Sequence, residues 1–286
     1  MSPHTITLND GRKIPFIGFG TGTALYGRDA EASVQRAIEV GVVHLDGAQL
    51  YGNEDSLGAA IAASGRPRDA LWVTTKLGKV PEGTTVRETL VASLKKLRLE
   101  YVDLFLIHMP IHHADLAAVW RAMEECKDAG LARTIGVSNF RVQDYEKFMP
   151  TARIVPAVNQ IEYHPYTAAW AAPIIEYQKQ FNIVTASYGG LTPIVRKPGG
   201  PIDPVLETVR QRVERDAGKP VSAGQILGLW LKAQNVVEIT TSSKVERIKE
   251  YLATETLPDL TSEEVAEIME KGKTIHFRQF CKWLDE

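Results

Sequence analysis

Four residues whose chemistry is complementary lie at or just beyond the ends of predicted strands. Asp46 ends an apolar strand, and Tyr51 follows it in the loop. Lys76 and His108 each end a later strand. A tyrosine donates a proton near neutral pH only if its pKa falls from about 10, and a nearby ammonium lowers that pKa by favouring the phenolate. Asp46 would keep Lys76 protonated and oriented toward Tyr51. The pattern therefore predicts a reductase whose proton donor is Tyr51.

The elements that would position these residues alternate between strand and helix along the chain. After a first strand that starts at residue 17, short apolar runs predict strands at 43–47, 71–76, 102–108, 133–138, 156–161, 182–187 and 236–241. Helical spacing predicts helices over 29–39, 86–97, 116–129, 143–149, 169–180 and 222–233. Residues 5–15 predict a β-hairpin that turns at Asn9-Asp10-Gly11. The pattern predicts an α/β fold, a (β/α)8 TIM barrel with an N-terminal β-hairpin, as one domain over residues 1–286.

A doubly wound parallel sheet is the alternative, because it shows the same alternation of strand and helix. We disfavour it because no Gly-x-Gly-x-x-Gly follows an early strand and opens a helix. The glycines of Gly18-Phe19-Gly20-Thr21-Gly22 have a different spacing.

Composition and charge narrow the class of protein. The chain is 44% hydrophobic and 24% charged, which is typical of globular proteins. A net charge of -2 gives no sign of a nucleic-acid or membrane partner. Cys126 and Cys281 are too few for a disulfide framework, and no signal segment or long apolar run is present. We expect a cytoplasmic protein that is a monomer or weak dimer.

Five segments in the same order resemble the aldo-keto reductase family. They are the segments around Asp46 and Tyr51, around Lys76 and around His108, followed by Ile135-Gly136-Val137-Ser138-Asn139-Phe140 and Val158-Asn159-Gln160-Ile161-Glu162-Tyr163-His164-Pro165. The resemblance covers about residues 6–252. It implies reduction of a small-molecule carbonyl compound by NADPH, with Tyr51 as the acid, His108 orienting the carbonyl oxygen, and Lys76 paired with Asp46.

The resemblance also implies the residues that contact the cofactor. Those near the nicotinamide and the phosphates are Thr21, Gly22, Thr23, Ser138, Asn139, Gln160, Tyr188, Gly189 and Leu191. Ser138, Asn139 and Gln160 would bind the carboxamide, whereas Tyr188 would stack on the ring. No metal is expected, because the adjacent His112 and His113 lack an accompanying ligand set.

A second segment, residues 240–251, resembles the part of the family that binds the 2′-phosphate of NADPH. The residues implied are Ser242, Ser243, Lys244, Arg247 and Glu250. A helix N-terminus with an arginine fork suits a phosphate dianion. Thr241 stands where the family usually has lysine, and we expect Lys244 to restore that charge, so NADPH is favoured over NADH.

The substrate is less well defined by the sequence. The loop after His108 and the tail after Lys271 are short, which predicts an open mouth. Leu191-Thr192-Pro193 and Gly199-Gly200-Pro201 resemble fungal members that reduce conjugated polyketones and α-keto lactones such as ketopantoyl lactone. Other aldehydes and ketones stay open. So does a second hypothesis, a nicotinamide-binding scaffold or sensor subunit with incidental turnover.

Overall fold

Eight parallel strands close into a barrel in the computed structural model, which describes residues 3–286. The chain begins with two hairpin strands, β1 (Thr5–Thr7) and β2 (Lys13–Pro15). The barrel strands are β3 (Ile17–Gly20), β4 (His44–Asp46), β5 (Trp72–Leu77), β6 (Val102–Ile107), β7 (Ala132–Ser138), β8 (Val158–Glu162), β9 (Val184–Tyr188) and β10 (Val237–Thr240). They follow one another in chain order, and β10 pairs with β3 to close the ring. The predicted (β/α)8 barrel with an N-terminal hairpin is confirmed.

Eleven α-helices accompany the strands in residues 3–286. They are α1 (Glu31–Glu39), α2 (Glu54–Ala63), α3 (Val86–Leu97), α4 (Leu116–Asp128), α5 (Val142–Glu146), α6 (Ala168–Gln180), α7 (Thr192–Val195), α8 (Asp203–Ala217), α9 (Ala223–Ala233), α10 (Val245–Ala253) and α11 (Ser262–Gly272). The predicted helix over 143–149 is shorter than expected. None of the helices in this part of the chain has both the length and the apolar character needed to cross a bilayer.

Local sequence signals explain where several helices begin. The Thr85 side chain accepts a hydrogen bond from the amide of Glu88, whose carboxylate accepts one from the Thr85 amide in return. Ser222 and Gln225 form the same reciprocal arrangement at the start of α9. Such capping boxes satisfy amides that a helix leaves unpaired.

The hairpin packs at the end of the barrel where the strands begin. Ile6 and Ile14 pair across it and are buried. Asp10 in its turn accepts hydrogen bonds from Thr134 Oγ1 at 2.7 Å and from Lys127 Nζ at 3.2 Å. These contacts tie the hairpin to β7 and α4, so the opposite face, where the strands end, is left for a functional site.

Strand β10 carries a carboxyl group that the fold leaves without a partner. Glu238 is 3% exposed, and its Oε2 atom accepts no hydrogen bond from residues 3–286. Burial raises the pKa of Glu238 from 4.5 to about 7. Between these two values the native state binds a proton that the unfolded chain has released. The free energy of unfolding therefore falls as the pH rises through this window.

Replacing Glu238 with Gln keeps the size of the side chain and removes the ionisation, so we expect Glu238→Gln to lose this pH dependence. From about pH 5 to about pH 8, wild type should lose about 2–3 kcal/mol of unfolding free energy relative to the variant, at about 1.4 kcal/mol per pKa unit. Urea unfolding at both pH values measures the difference. Glu125→Gln, at an exposed position of α4, is the control. The same pH dependence in wild type and Glu238→Gln would contradict this account.

Candidate active site

The four predicted catalytic residues meet at the face of the barrel where the strands end. Asp46 is the last residue of β4, Lys76 lies near the end of β5, and His108 directly follows β6. Tyr51 ends a short 3₁₀ turn, Gln49–Tyr51, in the loop after β4. Lys76 Nζ donates hydrogen bonds to Asp46 Oδ1, to the Gly47 carbonyl at 2.9 Å and to the Tyr51 hydroxyl at 3.3 Å. The structure thus brings the proposed acid and its partners into direct contact.

The Lys76 side chain is fully buried and keeps its charge. Burial by itself lowers the pKa of Lys76, but Asp46 and then Tyr51 oppose this, so the pKa lies above its usual value. A buried ammonium is stable only when an opposite charge and hydrogen-bond acceptors surround it. Asp46 therefore has the role that the sequence predicted, which is to hold Lys76 as an ammonium beside the phenol.

The pKa of Tyr51 departs from the expectation. Burial raises the pKa of the Tyr51 phenol, and this effect outweighs the lowering by Lys76. The predicted net fall of this pKa is therefore wrong, because the cost of placing a phenolate at the base of the site exceeds the attraction of one ammonium. The phenol stays protonated at neutral pH and holds its proton more tightly than a free tyrosine, so release of that proton depends on the contact with Lys76.

The His108 ring lies edge-on to the Tyr51 ring, with the centroids 5.4 Å apart. Burial, and to a lesser degree Lys76, hold the pKa of His108 well below its usual range. The ring is therefore neutral at neutral pH and donates from one nitrogen only. Its Nδ1 is buried and has no hydrogen-bond partner among the described residues.

Asp46 has a second partner that the sequence did not predict. Gln160 in β8 donates its Nε2 to Asp46 Oδ2 at 2.8 Å. Ser138 at the end of β7 donates its hydroxyl to the Gln160 main-chain carbonyl at 2.7 Å. Two of the residues predicted to bind the nicotinamide carboxamide therefore adjoin the catalytic group, and both are buried.

Asn139 connects the remaining part of the predicted nicotinamide site. Its Nδ2 donates to the His108 carbonyl at 3.0 Å and to Ser138 Oγ at 3.1 Å. Its Oδ1 accepts the Tyr188 hydroxyl at 2.6 Å. Asn139 adopts φ of 62°, a left-handed conformation that asparagine tolerates better than most residues. Gly189 and Leu191 follow Tyr188 in the next loop.

The loop after β3 places its three predicted residues differently. The side chain of Thr21 has no exposed surface and donates to the Asp46 carbonyl at 3.3 Å, so it supports the end of β4. Thr23 is exposed at the start of a 3₁₀ turn. Gly22 lies against the proposed catalytic tyrosine, since a Cβ there would sit 2.9 Å from Tyr51 Cζ and 3.2 Å from its hydroxyl.

Two predicted phosphate-binding side chains are exposed at the start of α10. Lys244 and Arg247 form no ion pair with any residue between 3 and 286. Ser243 is exposed beside them, and Ser242 Oγ accepts the Lys244 amide at 3.0 Å. Two free cations beside the amides of a first helical turn suit a phosphate dianion.

Glu250 is bound to the start of the neighbouring helix α9. It accepts a hydrogen bond from the Ser222 hydroxyl, and its main-chain carbonyl accepts Gln225 Nε2 at 2.9 Å. The structure therefore gives Glu250 the role of joining α10 to the start of α9, and its contact with the cofactor stays a prediction.

The short C-terminal tail lies across one side of the mouth. The Phe280 ring packs edge-on to the Tyr188 ring at 5.8 Å between centroids. Although the tail is short, it therefore covers this side of the mouth. In the loop after His108, the two adjacent histidines do not form a metal site, and no three His, Cys, Asp or Glu side chains converge anywhere in residues 3–286.

Comparisons with known proteins give consistent matches. The sequence model of the Aldo/keto reductase family matches residues 17–273. The NAD/NADP-dependent indole-3-acetaldehyde reductase of Schizosaccharomyces pombe is 36% identical, over 96% of this chain and 98% of that protein. The NADPH-dependent alpha-keto amide reductase of Saccharomyces cerevisiae is 32% identical, over 93% of this chain and 90% of its own. The solved structure of a Bombyx mori aldo-keto reductase in complex with NADP superposes with a TM-score of 0.85 at 30% identity, covering 100% of this chain and 98% of that one.

The contact of Gly22 with Tyr51 leads to a prediction. Gly22 has an ordinary φ of -76°, so alanine fits the backbone but its methyl group overlaps the phenol. We expect Gly22→Ala to displace Tyr51 and lower kcat, on the order of a hundredfold if the hydroxyl shifts by about 1 Å. The assay is turnover of the carbonyl compounds on which the relatives act.

Gly224→Ala is the control for Gly22→Ala, since a Cβ at position 224 would meet nothing closer than 3.5 Å. Unfolding measured beside the assay separates displacement of the phenol from loss of stability. A folded Gly22→Ala variant with wild-type kcat would show that the phenol does not depend on this contact.

Proposed function

Because the chain belongs to the aldo/keto reductase family, we propose that it reduces aldehydes and ketones to alcohols with NADPH. The match to the family model and the reductases among the relatives confirm the family and the enzyme class that the sequence motifs predicted. One observation carries the mechanism: a buried ammonium, Lys76, contacts both a carboxylate and the hydroxyl of a protonated tyrosine.

The residues act on the carbonyl oxygen. When bound, NADPH supplies a hydride to the carbonyl carbon. Tyr51 donates its proton to the oxygen, which becomes the hydroxyl of the alcohol, and Lys76 stabilises the phenolate that remains. The neutral His108 donates a hydrogen bond to the same oxygen and orients it. Asp46 keeps the ammonium in place, and solvent returns the proton to Tyr51.

The side chains around the proposed cofactor site fit NADPH. Ser138, Asn139 and Gln160 offer amide and hydroxyl groups beside the tetrad, the set of four proposed catalytic residues, and Tyr188 offers an aromatic face. The exposed Lys244 and Arg247 offer the charge for a 2′-phosphate, and the absence of an ion pair on either side chain among the described residues supports this assignment.

The mouth favours apolar substrates. Tyr26, Ile111 and Val195 are large apolar side chains that stay exposed in the segments that follow barrel strands. An aldehyde or ketone that carries a flat or apolar substituent suits this surface, as does the α-keto lactone or conjugated polyketone type of substrate expected from the sequence. We further propose that the chain is one domain over residues 1–286 and acts in the cytoplasm as a monomer or weak dimer.

Removal of the proton donor tests the assignment. Tyr51→Phe removes the only hydroxyl among residues 3–286 that Lys76 contacts, so we expect kcat to fall by at least about 10²–10⁴, the range for general acid catalysis. The Kd for NADPH should stay close to the wild-type value. The measurements are NADPH consumption with a panel of carbonyl compounds and fluorescence titration with the cofactor.

Two results of the Tyr51→Phe experiment would contradict the proposal. A variant with a third of the wild-type kcat would show that another group donates the proton. A wild type that binds NADPH and turns over no carbonyl compound would favour a cofactor-binding scaffold.

The preference for NADPH is tested at the start of α10. Arg247→Ala should raise the Kd for NADPH about tenfold or more, the effect of losing a charged hydrogen bond of about 1.5–3 kcal/mol. The Kd for NADH, which lacks the phosphate, should barely change. Lys244→Ala should act in the same direction but less strongly, because lysine lacks the guanidinium fork.

Lys249→Ala on the same helix is the matched control, since Lys249 is exposed and already pairs with Glu246. Fluorescence titration of wild type and of each variant with both cofactors measures the dissociation constants. Equal weakening of NADPH and NADH by Arg247→Ala would show that this segment does not select the phosphate.

A further inference from the structure

The carboxylate of Glu162 holds the C-terminal tail by its backbone. Glu162 is the last residue of β8 and has no exposed surface. The amide of Gln279 donates to its Oε1 and the amide of Phe280 to its Oε2, both at 2.8 Å. Consecutive tail amides thus bind the two oxygens of one carboxylate, although 117 residues separate Glu162 from the first of them.

A histidine supplies the third hydrogen bond to this carboxylate. His164 Nε2 lies 3.1 Å from Glu162 Oε1, and His164 Nδ1 accepts the amide of Tyr166 at 3.2 Å. Burial lowers the pKa of His164, so the ring is neutral at neutral pH and carries its proton on Nε2. No lysine or arginine forms an ion pair with Glu162 in residues 3–286. Because a buried carboxylate without hydrogen bonds is costly, undocking of the tail would leave Glu162 short of two donors.

The tail that Glu162 holds forms one wall of the proposed nicotinamide site. Glu162 pairs in register with Tyr188 on the neighbouring strand. Gly189 lies between carboxylate and tail, since a Cβ there would sit 3.4 Å from both Glu162 Cγ and Phe280 Cε2. Its φ of 69° also favours glycine. The Phe280 ring then packs against Tyr188, whose hydroxyl binds Asn139.

A second attachment holds the far end of the same tail. The Arg278 guanidinium stacks on Trp170 of α6 at 3.9 Å from the ring centroid, and its Nε donates to Asp285 at 2.7 Å. Trp170 Nε1 donates to the Leu284 carbonyl at 3.1 Å. The tail is therefore fastened on α6 as well as on β8, and only the β8 attachment is next to Phe280.

We propose that Glu162 is a positioning residue, which fixes residues 279–281 on the end of β8 so that Phe280 closes one side of the substrate site. This role rests on the proposed function, because it concerns the site in which the nicotinamide and the carbonyl compound would meet. Glu162 contacts none of the four catalytic side chains. Loss of its hold on the tail therefore weakens the binding of the carbonyl compound and leaves the chemical step unchanged.

Glu162→Gln tests the tail attachment directly. The side-chain NH₂ of the glutamine replaces one of the two carboxylate oxygens and faces a tail amide, which is also a donor. One of the two hydrogen bonds to the tail is therefore lost. Cys281 follows Phe280 and is partly buried, whereas Cys126 lies fully buried in α4. In a Cys126→Ala background, the rate of Cys281 labelling by an aromatic disulfide reagent therefore reports how often the tail is undocked. We expect Glu162→Gln to raise this rate on the order of tenfold or more, and the exposed control Glu125→Gln to leave it unchanged.

Steady-state kinetics of the same variants measures the functional consequence. Glu162→Gln should raise the KM of the carbonyl compound several-fold with kcat close to wild type. Phe280→Ala keeps Glu162 and both tail amides but removes the ring, so it should raise KM similarly without faster labelling. The double variant should show no larger KM than Glu162→Gln alone.

The outcomes separate this proposal from the proposed function. A folded Glu162→Gln variant with wild-type labelling rate overturns the attachment, and a fall in kcat at unchanged KM overturns the positioning role. If Glu162→Gln does not fold, a Phe280→Ala variant with wild-type KM would show that Phe280 does not close one side of the substrate site. Labelling needs no turnover, so a wild type inactive on every carbonyl compound would overturn the proposed function while the labelling rates still decide the attachment.

Discussion

The buried ammonium of Lys76 is the interaction around which the catalytic face is organised. An isolated charge of this kind costs several kcal/mol to bury, so the surrounding strands must supply its partners. Asp46 provides the opposite charge from β4, and Gln160 reaches across from β8 to hold the second oxygen of that carboxylate. Because the barrel is closed, strands that are distant in sequence support the same charge.

The two ends of the proposed cofactor site differ in how far their polar groups are already satisfied. Near the tetrad, Asn139 uses both its amide group and its carbonyl within the protein. A ligand that binds at Asn139 replaces a hydrogen bond that already exists within the protein. We therefore infer that each new hydrogen bond at this end contributes only about 0.5–1.5 kcal/mol to the binding free energy. Lys244 and Arg247 have no such competing partners in the described chain. The selective part of the affinity should therefore come from the start of α10, and the nicotinamide end should mainly set orientation.

Local signals in the sequence were sufficient to predict the barrel and to predict that the four candidate catalytic side chains meet at one face of it. The bounds of α3 were predicted correctly from helical spacing, and the structure shows Thr85 and Glu88 capping its start. Helix α2 was missed, since its small residues give almost no periodic apolar pattern, and α8 and α11 were missed because the repeating strand and helix pattern does not include them. The attachment of the tail at Glu162, like the raised pKa of Tyr51, depends on contacts and burial created only by the folded chain.

Closure of the barrel by β10 has a consequence for synthesis of the protein on the ribosome. Strand β3 emerges early, but the strand that covers its open edge spans Val237–Thr240. Until those residues leave the ribosome, both β3 and β9 present unpaired backbone groups, and such edges promote association with other chains. A nascent chain of this protein is therefore exposed to aggregation for most of its translation. Protection by chaperones matters most before the last fifth of the chain is complete.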